Sequence, residues 1–139
     1  MEFKKFGNKF LIRIDKNEEI VETLKKFCQN HKITLGSVTG LGATNKVKVG
    51  LYEVDKKQYF SKELLGNYEI APLYGNISTM NGETYLHLHI NLCDSAYNSF
   101  GGHLNYAIVS ATFEGIIEQI DGNIDRKLNE EIGLNLIKF

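Results

Sequence analysis

The chain has 139 residues, enough for one domain with a single hydrophobic core, and we predict one domain over residues 1–139. Its 16 basic and 17 acidic residues give a net charge of -1, and 42% of the residues are hydrophobic. This composition is typical of a soluble globular protein, excludes the basic excess that free DNA binders usually carry, and includes no apolar run near the roughly 18 residues that span a bilayer.

The N-terminal part is predicted to hold a strand followed by a long helix. The run Phe10–Ile14 is typical of a strand, and Asp15 with Glu18 resembles a capping box at a helix start. A helix over about Lys16 to Asn30 follows, because apolar residues recur there at helical spacing. They are Ile20, Val21, Leu24, Phe27 and Cys28. His31 ends this helix, and we expect it at the surface, where a protonated imidazole interacts favourably with the helix dipole.

A glycine-rich segment, Gly36–Gly42, comes next. Its spacing fits neither the dinucleotide fingerprint nor the P-loop, and no helix pattern follows it. We therefore expect a tight bend or bulge in which the backbone approaches a neighbouring strand closely. The wall of a ligand pocket is the alternative.

The remainder of the chain is predicted to be rich in strands. Val47, Val49 and Leu51 alternate with polar or small residues, as in a strand with one solvent-facing side. Asn81-Gly82 separates two alternating runs, which is the strongest short hairpin signal. The other predicted strands are Gln58–Glu63, Leu73–Met80, Glu83–Cys93 and Leu104–Ile120, with an edge strand from the tail around Ile132, Leu134, Leu136 and Ile137. This order predicts an α+β fold with a mainly antiparallel sheet and one long N-terminal helix.

Three of the four histidines, His87, His89 and His103, fall within seventeen residues. His87 and His89 are two apart, so on a strand both point to the face opposite the leucines that alternate with them. His103 follows Gly101-Gly102 and begins the next strand, which can return beside the first. Three neutral imidazoles can hold a divalent metal and leave a position open, and this predicts a metal site. Zinc is favoured over nickel, copper or iron, and solvent-exposed histidines without an ion are the alternative.

Other candidate residues have plainer interpretations. Cys93 shares the histidine face, but it lies roughly 13 Å along the strand from His89, so a small packed residue is expected. Glu114 is a candidate acid, base or indirect metal contact, although a straight strand would place it about 36 Å from His103. Arg13 is expected to pair with Asp15 or Glu18. Cys28 and Cys93 form no paired motif, so free thiols and a cytoplasmic location are expected.

Taken together, several motifs resemble the PPC domain (plants and prokaryotes conserved) in its free-standing prokaryotic form. The resemblance extends from Phe10 to about Ile120. It rests on the segment entering the helix, Arg13–Glu19, and on Thr39-Gly40-Leu41-Gly42-Ala43, Val49-Gly50-Leu51-Tyr52, Gly75-Asn76-Ile77-Ser78, His87-Leu88-His89 and Gly101-Gly102-His103-Leu104. The order of these motifs makes the resemblance specific.

The resemblance implies a homotrimer in which His87, His89 and His103 bind a metal, with zinc expected. The PPC family is often labelled DNA-binding because plant members join the domain to an AT-hook. That basic core is absent from this chain, which argues against DNA as a partner. The histidine pattern is also similar to the zinc-binding segment of acetolactate decarboxylase, whose fold is related and whose metal acts as a Lewis acid.

Three functions remain open from the sequence. The first is a trimeric metal-binding PPC protein that acts as a regulatory or small-ligand-binding module. The second is a zinc-dependent lyase or hydrolase, which would need an acid or base within hydrogen-bond reach of the reacting atoms. The third is a DNA-binding regulator without an AT-hook, whose affinity would fall steeply with salt.

Overall fold

The computed structural model describes residues 1–139, which form one antiparallel six-stranded sheet, one helix and a small C-terminal hairpin. The strands are β1 (Glu2–Phe6), β2 (Lys9–Asp15), β3 (Gly36–Glu53), β4 (Gln58–Met80), β5 (Glu83–Cys93), β6 (Ser99–Gln119), β7 (Arg126–Asn129) and β8 (Leu134–Ile137), and the helix is α1 (Ile20–Asn30). The sheet order is β1-β2-β6-β3-β4-β5, and β5 also pairs with β6. Strands β3, β4, β5 and β6 therefore form a closed ring of pairings.

The prediction of a long N-terminal helix is wrong. The helix has 11 residues, begins at Ile20 and follows two strands. Asn17 has a positive φ of 71°, which a right-handed helix does not accommodate, so residues 16–18 form a turn instead. Glu18 does accept a hydrogen bond from the Asp15 backbone N–H at 2.7 Å, but this contact closes the turn. The N-cap is Glu19, whose carboxylate accepts from the N–H groups of Val21 and Glu22.

The strands of the large sheet are longer than predicted. The segments predicted as separate strands over residues 58–63 and 73–80 belong to the single 23-residue strand β4. A register shift between Ile70 and Leu73, at the cis Ala71–Pro72 bond, interrupts its pairing with β5. Asn81 and Gly82 both have positive φ and form the predicted turn between β4 and β5.

The glycine segment allows close backbone approach, as predicted. A Cβ on Gly36 would lie 2.4 Å from the Glu118 carbonyl oxygen, and one on Gly42 would lie 2.1 Å from that of Thr112. Gly42 has a φ of 154° and lies at the register shift between β3 and β6. These glycines let β3 lie against β6 where a side chain would separate them.

The core lies between α1 and one face of the sheet. On β2 the residues alternate between exposed and buried, and the buried ones face the helix. Phe10, Phe113 and Ile117 are almost fully buried, together with Leu24 and Phe27 of α1. Burial of each such side chain stabilises the fold by about 1.5–3 kcal/mol. The helix and the buried face of the sheet thus hold the β5 and β6 strands that carry the histidines.

The C-terminal segment does not add an edge strand to the large sheet. β7 and β8 pair only with each other, and this two-stranded sheet attaches to the end of β4. The Thr79 backbone N–H donates to the Ile124 carbonyl oxygen at 3.0 Å, and Thr79 forms an isolated bridge with Asp125. Strand β1 was not predicted, because its charged residues are all exposed and carry no burial pattern.

The helix is too short and too polar to cross a membrane.

Candidate metal centre

Strand β5 presents its leucines and its histidines on opposite faces, as the alternation predicts. Leu88, Ile90 and Leu92 are buried in the core. His87 is half-buried and His89 is exposed on the other face. Because these imidazoles lie outside the hydrophobic layer, their nitrogen atoms stay available to a ligand.

The pairing of β5 with β6 brings the third histidine to the same place. His103 is the cross-strand partner of His89. Gly101 makes this approach possible, because a Cβ there would lie 2.0 Å from the Ile90 carbonyl oxygen; Gly102 lets β6 lie close to β3, because a Cβ there would lie 2.7 Å from the Gly50 carbonyl oxygen. The Gly-Gly-His motif thus serves close backbone approach, since neither glycine has a positive φ.

The three imidazoles converge. Their ring centroids lie 5.2 Å (His87–His89), 5.4 Å (His87–His103) and 5.5 Å (His89–His103) apart. One nitrogen of each ring lies within 4.8 Å of those of the other two. Three nitrogens bound tetrahedrally to zinc at 2.0–2.1 Å are about 3.4 Å apart, so modest rotation of the rings toward one another would complete the site. The donor set fits a divalent transition metal with at least one open position.

The surroundings favour the neutral imidazole, which is the form that binds metal. Burial lowers the pKa of His87, and the neighbouring His89 and Arg126 lower it further. Burial also lowers the pKa of His103, with His87 and His89 acting in the same direction. Both effects keep a lone pair on these rings at pH values where an ordinary histidine is partly protonated.

Tyr59 lies beside the cluster. Its ring is 6.1 Å from that of His103 in an edge arrangement, and its hydroxyl donates to Asn105 Oδ1 at 2.8 Å. Gly50 makes room for it, because a Cβ there would lie 1.9 Å from the tyrosine hydroxyl. Tyr59 was not identified from the sequence, since it comes from a distant part of β4.

Arg126 is the second feature that was missed. It is 6% exposed and lies against the Tyr85 ring, with the guanidinium carbon 4.7 Å from the ring centroid. Its Nη2 donates to Asn76 Oδ1 at 2.7 Å, and Asn76 is the cross-strand partner of His87. The available signal is modest: Arg126 is one of only two arginines, and it lies outside every predicted strand.

Arg13 and Glu114 do not join the histidines. They are cross-strand partners of each other, and Arg13 donates to Asp15 at 2.9 Å and pairs with Glu2 at 3.1 Å. The Asp15 pairing of Arg13 was predicted; Glu18 instead binds the Met1 ammonium. On β3, Glu114 is opposite Leu41 and His103 is opposite Gly50, which separates Glu114 from the cluster by about 30 Å along the strand. Within one chain, Glu114 therefore does not belong to the histidine cluster.

The remaining candidates also lie outside the cluster. Cys93 is opposite Ser99 on β6 and is half-buried and free, as expected of a packed residue. His31 is the C-cap of α1, as its position predicts. Its ring packs against Phe27 at 4.3 Å and Phe3 at 4.8 Å, so it is half-buried in an aromatic cluster and not simply at the surface.

Known structures share this fold over the whole chain. A protein from Bacteroides thetaiotaomicron, named "putative dna binding protein", is 38% identical with a TM-score of 0.97, and the match covers 99% of this chain and 96% of that one. A protein from Archaeoglobus fulgidus, named "metal-containing protein", is 28% identical with a TM-score of 0.88, covering 100% and 99%. Comparison with curated proteins gives no match.

The relation to acetolactate decarboxylase is one of fold alone. The enzyme from Bacillus subtilis subspecies spizizenii is 17% identical with a TM-score of 0.53, and the match covers 87% of this chain and 57% of that one. The fold relation expected from the sequence is therefore confirmed at a distance.

The family model that matches is the Plants and Prokaryotes Conserved (PCC) domain, over residues 1–121. This is the domain also abbreviated PPC, and its match extends from β1 through all strands of the large sheet. The chain belongs to the Plants and Prokaryotes Conserved domain family.

Proposed function

We propose that the protein is a metal-binding PPC-domain module in which His87, His89 and His103 hold one divalent ion, with zinc favoured. The observation that carries the proposal is the convergence of three imidazole nitrogens within 4.8 Å of one another. When bound, the ion would supply a Lewis-acidic position. The Archaeoglobus fulgidus relative named as metal-containing supports the same assignment.

The proposed role is the binding of a small ligand in a regulatory or sensing capacity. Acid–base catalysis would require an acid or base within hydrogen-bond reach of the reacting atoms, and Glu114, the candidate from the sequence, lies far along β6 from His103. The Bacteroides thetaiotaomicron relative is named "putative dna binding protein". The balance of 16 basic and 17 acidic residues in this chain favours a small ligand over a nucleic acid as partner.

We propose a homotrimer as the assembled form. The face of the sheet opposite the core carries an exposed apolar patch of Leu11, Leu41 and Ile116. Leu11 and Ile116 are cross-strand partners on β2 and β6, and Leu41 is on the adjacent strand β3. An apolar patch of this kind is typical of a surface that a second protein covers.

The free thiols of Cys28 and Cys93 support a cytoplasmic location.

The test of the metal site is the metal content of the protein. Protein freed of metal by a chelator and then dialysed against zinc is expected to retain about one ion per chain. Elemental analysis measures this ratio, and isothermal titration with zinc gives its affinity. Retention of well under one ion per chain would reject the site, because the three histidines of each chain would then not hold an ion.

A further inference from the structure

A buried cation without an acidic partner lies beside the candidate metal centre. Arg126 is 6% exposed, yet it takes part in none of the ion pairs of the chain. Its three hydrogen bonds go to neutral acceptors: Ser78 Oγ at 2.7 Å, the Asn135 carbonyl oxygen at 2.9 Å and Asn76 Oδ1 at 2.7 Å. A guanidinium has five N–H groups, so two of them remain for another acceptor.

The register of the sheet places this guanidinium next to His87. Asn76, which accepts from Arg126, is directly opposite His87 on the neighbouring strand. Cross-strand partners have Cβ atoms about 4.5–5.5 Å apart. Tyr85, whose ring packs on the guanidinium, precedes His87 by two residues and shares its face of β5. Arg126 and the three imidazoles therefore border the same surface of the sheet.

Acidic groups do not balance this charge. The carboxylate nearest in sequence, Asp125, accepts a hydrogen bond from Thr79 Oγ1 at 3.1 Å and makes no ion pair with Arg126. Leaving a buried charge unpaired is costly, and buried arginines are usually paired. With three neutral imidazoles, a divalent ion and Arg126, the region would carry a net charge of about +3, which favours an anion.

We propose that Arg126 makes the metal centre selective for small anionic ligands over neutral ligands of the same shape. One donor atom of the ligand would bind the ion, and its negative charge would lie toward the guanidinium. This rests on the proposed metal-binding function. Arg126 comes from β7, beyond the residues 1–121 that match the family model, so the selectivity would be supplied by the C-terminal hairpin.

The test compares a charged and a neutral ligand of the same shape. Cobalt(II) is loaded in place of zinc, because its visible absorption reports changes at the ion. The loaded protein is titrated with glycolate and with glycolamide, which differ mainly in charge. We expect glycolate to bind more tightly, and Arg126→Met to weaken glycolate binding by about tenfold while changing glycolamide binding by less than about twofold. Arg126→Lys, which keeps the charge, should retain part of the preference.

A parallel titration with inorganic phosphate extends the test to a second anion. Phosphate binding should also weaken in Arg126→Met, and phosphate binding that is unchanged in this variant would count against the proposal. Imidazole, a neutral metal ligand, is the control for an intact ion in each variant. If Arg126→Met does not fold, the wild-type protein still decides: equal affinity for glycolate and glycolamide overturns the proposal.

The outcomes distinguish failure of the metal site from failure of the role of Arg126. Failure of the wild-type protein to bind cobalt would reject the metal site and this inference with it. Normal cobalt binding, with an unchanged glycolate-to-glycolamide ratio in Arg126→Met, would reject only the role of Arg126. A ratio that falls in Arg126→Met and recovers partly in Arg126→Lys would support it.

Discussion

His89 lies directly opposite His103 in the pairing of β5 with β6, and their rings are 5.5 Å apart. His87 lies two residues before His89 on β5, and side chains two residues apart share a face of a strand. All three rings therefore lie on one face of the sheet. We expect His87→Ala and His103→Ala each to lower metal affinity at least about tenfold, because two imidazoles hold an ion far less well than three. Titration with zinc measures the effect.

The fourth histidine is the matched control. His31 packs among Phe3, Phe10 and Phe27 and is distant from the cluster in the fold. His31→Gln should leave the metal content unchanged, even if the protein becomes less stable. Equal metal loss in His31→Gln and His87→Ala would contradict the assignment of the ligands.

A second prediction concerns Gly101, which allows β6 to approach β5. A Cβ there would lie 2.0 Å from the Ile90 carbonyl oxygen, so Gly101→Ala should separate the strands. We expect a loss of about 1–3 kcal/mol in unfolding free energy, measured with denaturant, together with weaker metal binding. Gly82→Ala is the control: it strains only a positive-φ turn in open space, so it should cost about 1 kcal/mol and leave metal affinity intact.

The lowered pKa values of His87 and His103 predict the pH dependence of metal binding. Protons compete with the ion for the same nitrogens. Because burial holds both pKa values below the ordinary value of about 6.5, protons should compete with the ion for these two nitrogens only at a lower pH than for an ordinary histidine. NMR titration of the metal-free protein measures the two pKa values directly, and values at or above 6.5 would contradict this account.

The same shifts predict how the stability of the metal-free protein varies with pH. Unfolded histidines take up protons at a higher pH than the two folded ones, so acid favours the unfolded state. Stability should therefore be fully present above the ordinary histidine pKa and decrease as the pH falls through it. The urea midpoint at pH 7.5 and pH 5.5 tests this. A smaller decrease is expected for His103→Ala, which removes one of the groups.

Glu19 is predicted to be the most important polar residue at the helix. Its carboxylate caps two N–H groups of α1 and also accepts from the Ala107 backbone N–H of β6 at 3.0 Å. Glu19→Ala should therefore lower the unfolding free energy by about 1–2 kcal/mol. Glu22→Ala is the control, because Glu22 pairs only with exposed Lys26 and should cost about 0.5 kcal/mol or less.

The proposed assembly predicts a mass of three chains. Light scattering at micromolar concentration should give three times the 15.8 kDa of one chain. Ile116→Lys places a charge in the exposed apolar patch and should shift the protein toward monomers. Leu128→Lys, on the C-terminal hairpin, is the control. A monomeric wild-type protein would reject the homotrimer.

Local patterns allowed much of this architecture to be predicted from the sequence. The alternation around His87 and His89, the Asn81-Gly82 turn and the glycine spacing around Gly42 are each visible within a short stretch of sequence. The position of His103 beside them could also be predicted, because only a short connection joins β5 to β6. The histidine cluster is therefore the part of the candidate site that can be predicted most readily from the sequence.

The missed features depend on long-range contacts. The start of the helix was misplaced because the capping pattern at Asp15 and Glu18 belongs to a turn, and Glu19 finds its partners partly on β6. Arg126 is held beside the cluster by hydrogen bonds to Asn76 and Ser78, which are 50 and 48 residues away in the chain. Neither relationship has a periodic signal that a local pattern could reveal.

The pairing of β5 with β6 completes the ring formed by β3, β4, β5 and β6. His87 and His89 are on one side of that seam and His103 is on the other. A bound ion would therefore bridge β5 and β6, the strand pair whose hydrogen bonds close the ring. Binding energy would be shared with the fold, since an ion held only by the joined strands stabilises the joined state. Removing the ion should then weaken the pairing of β5 with β6.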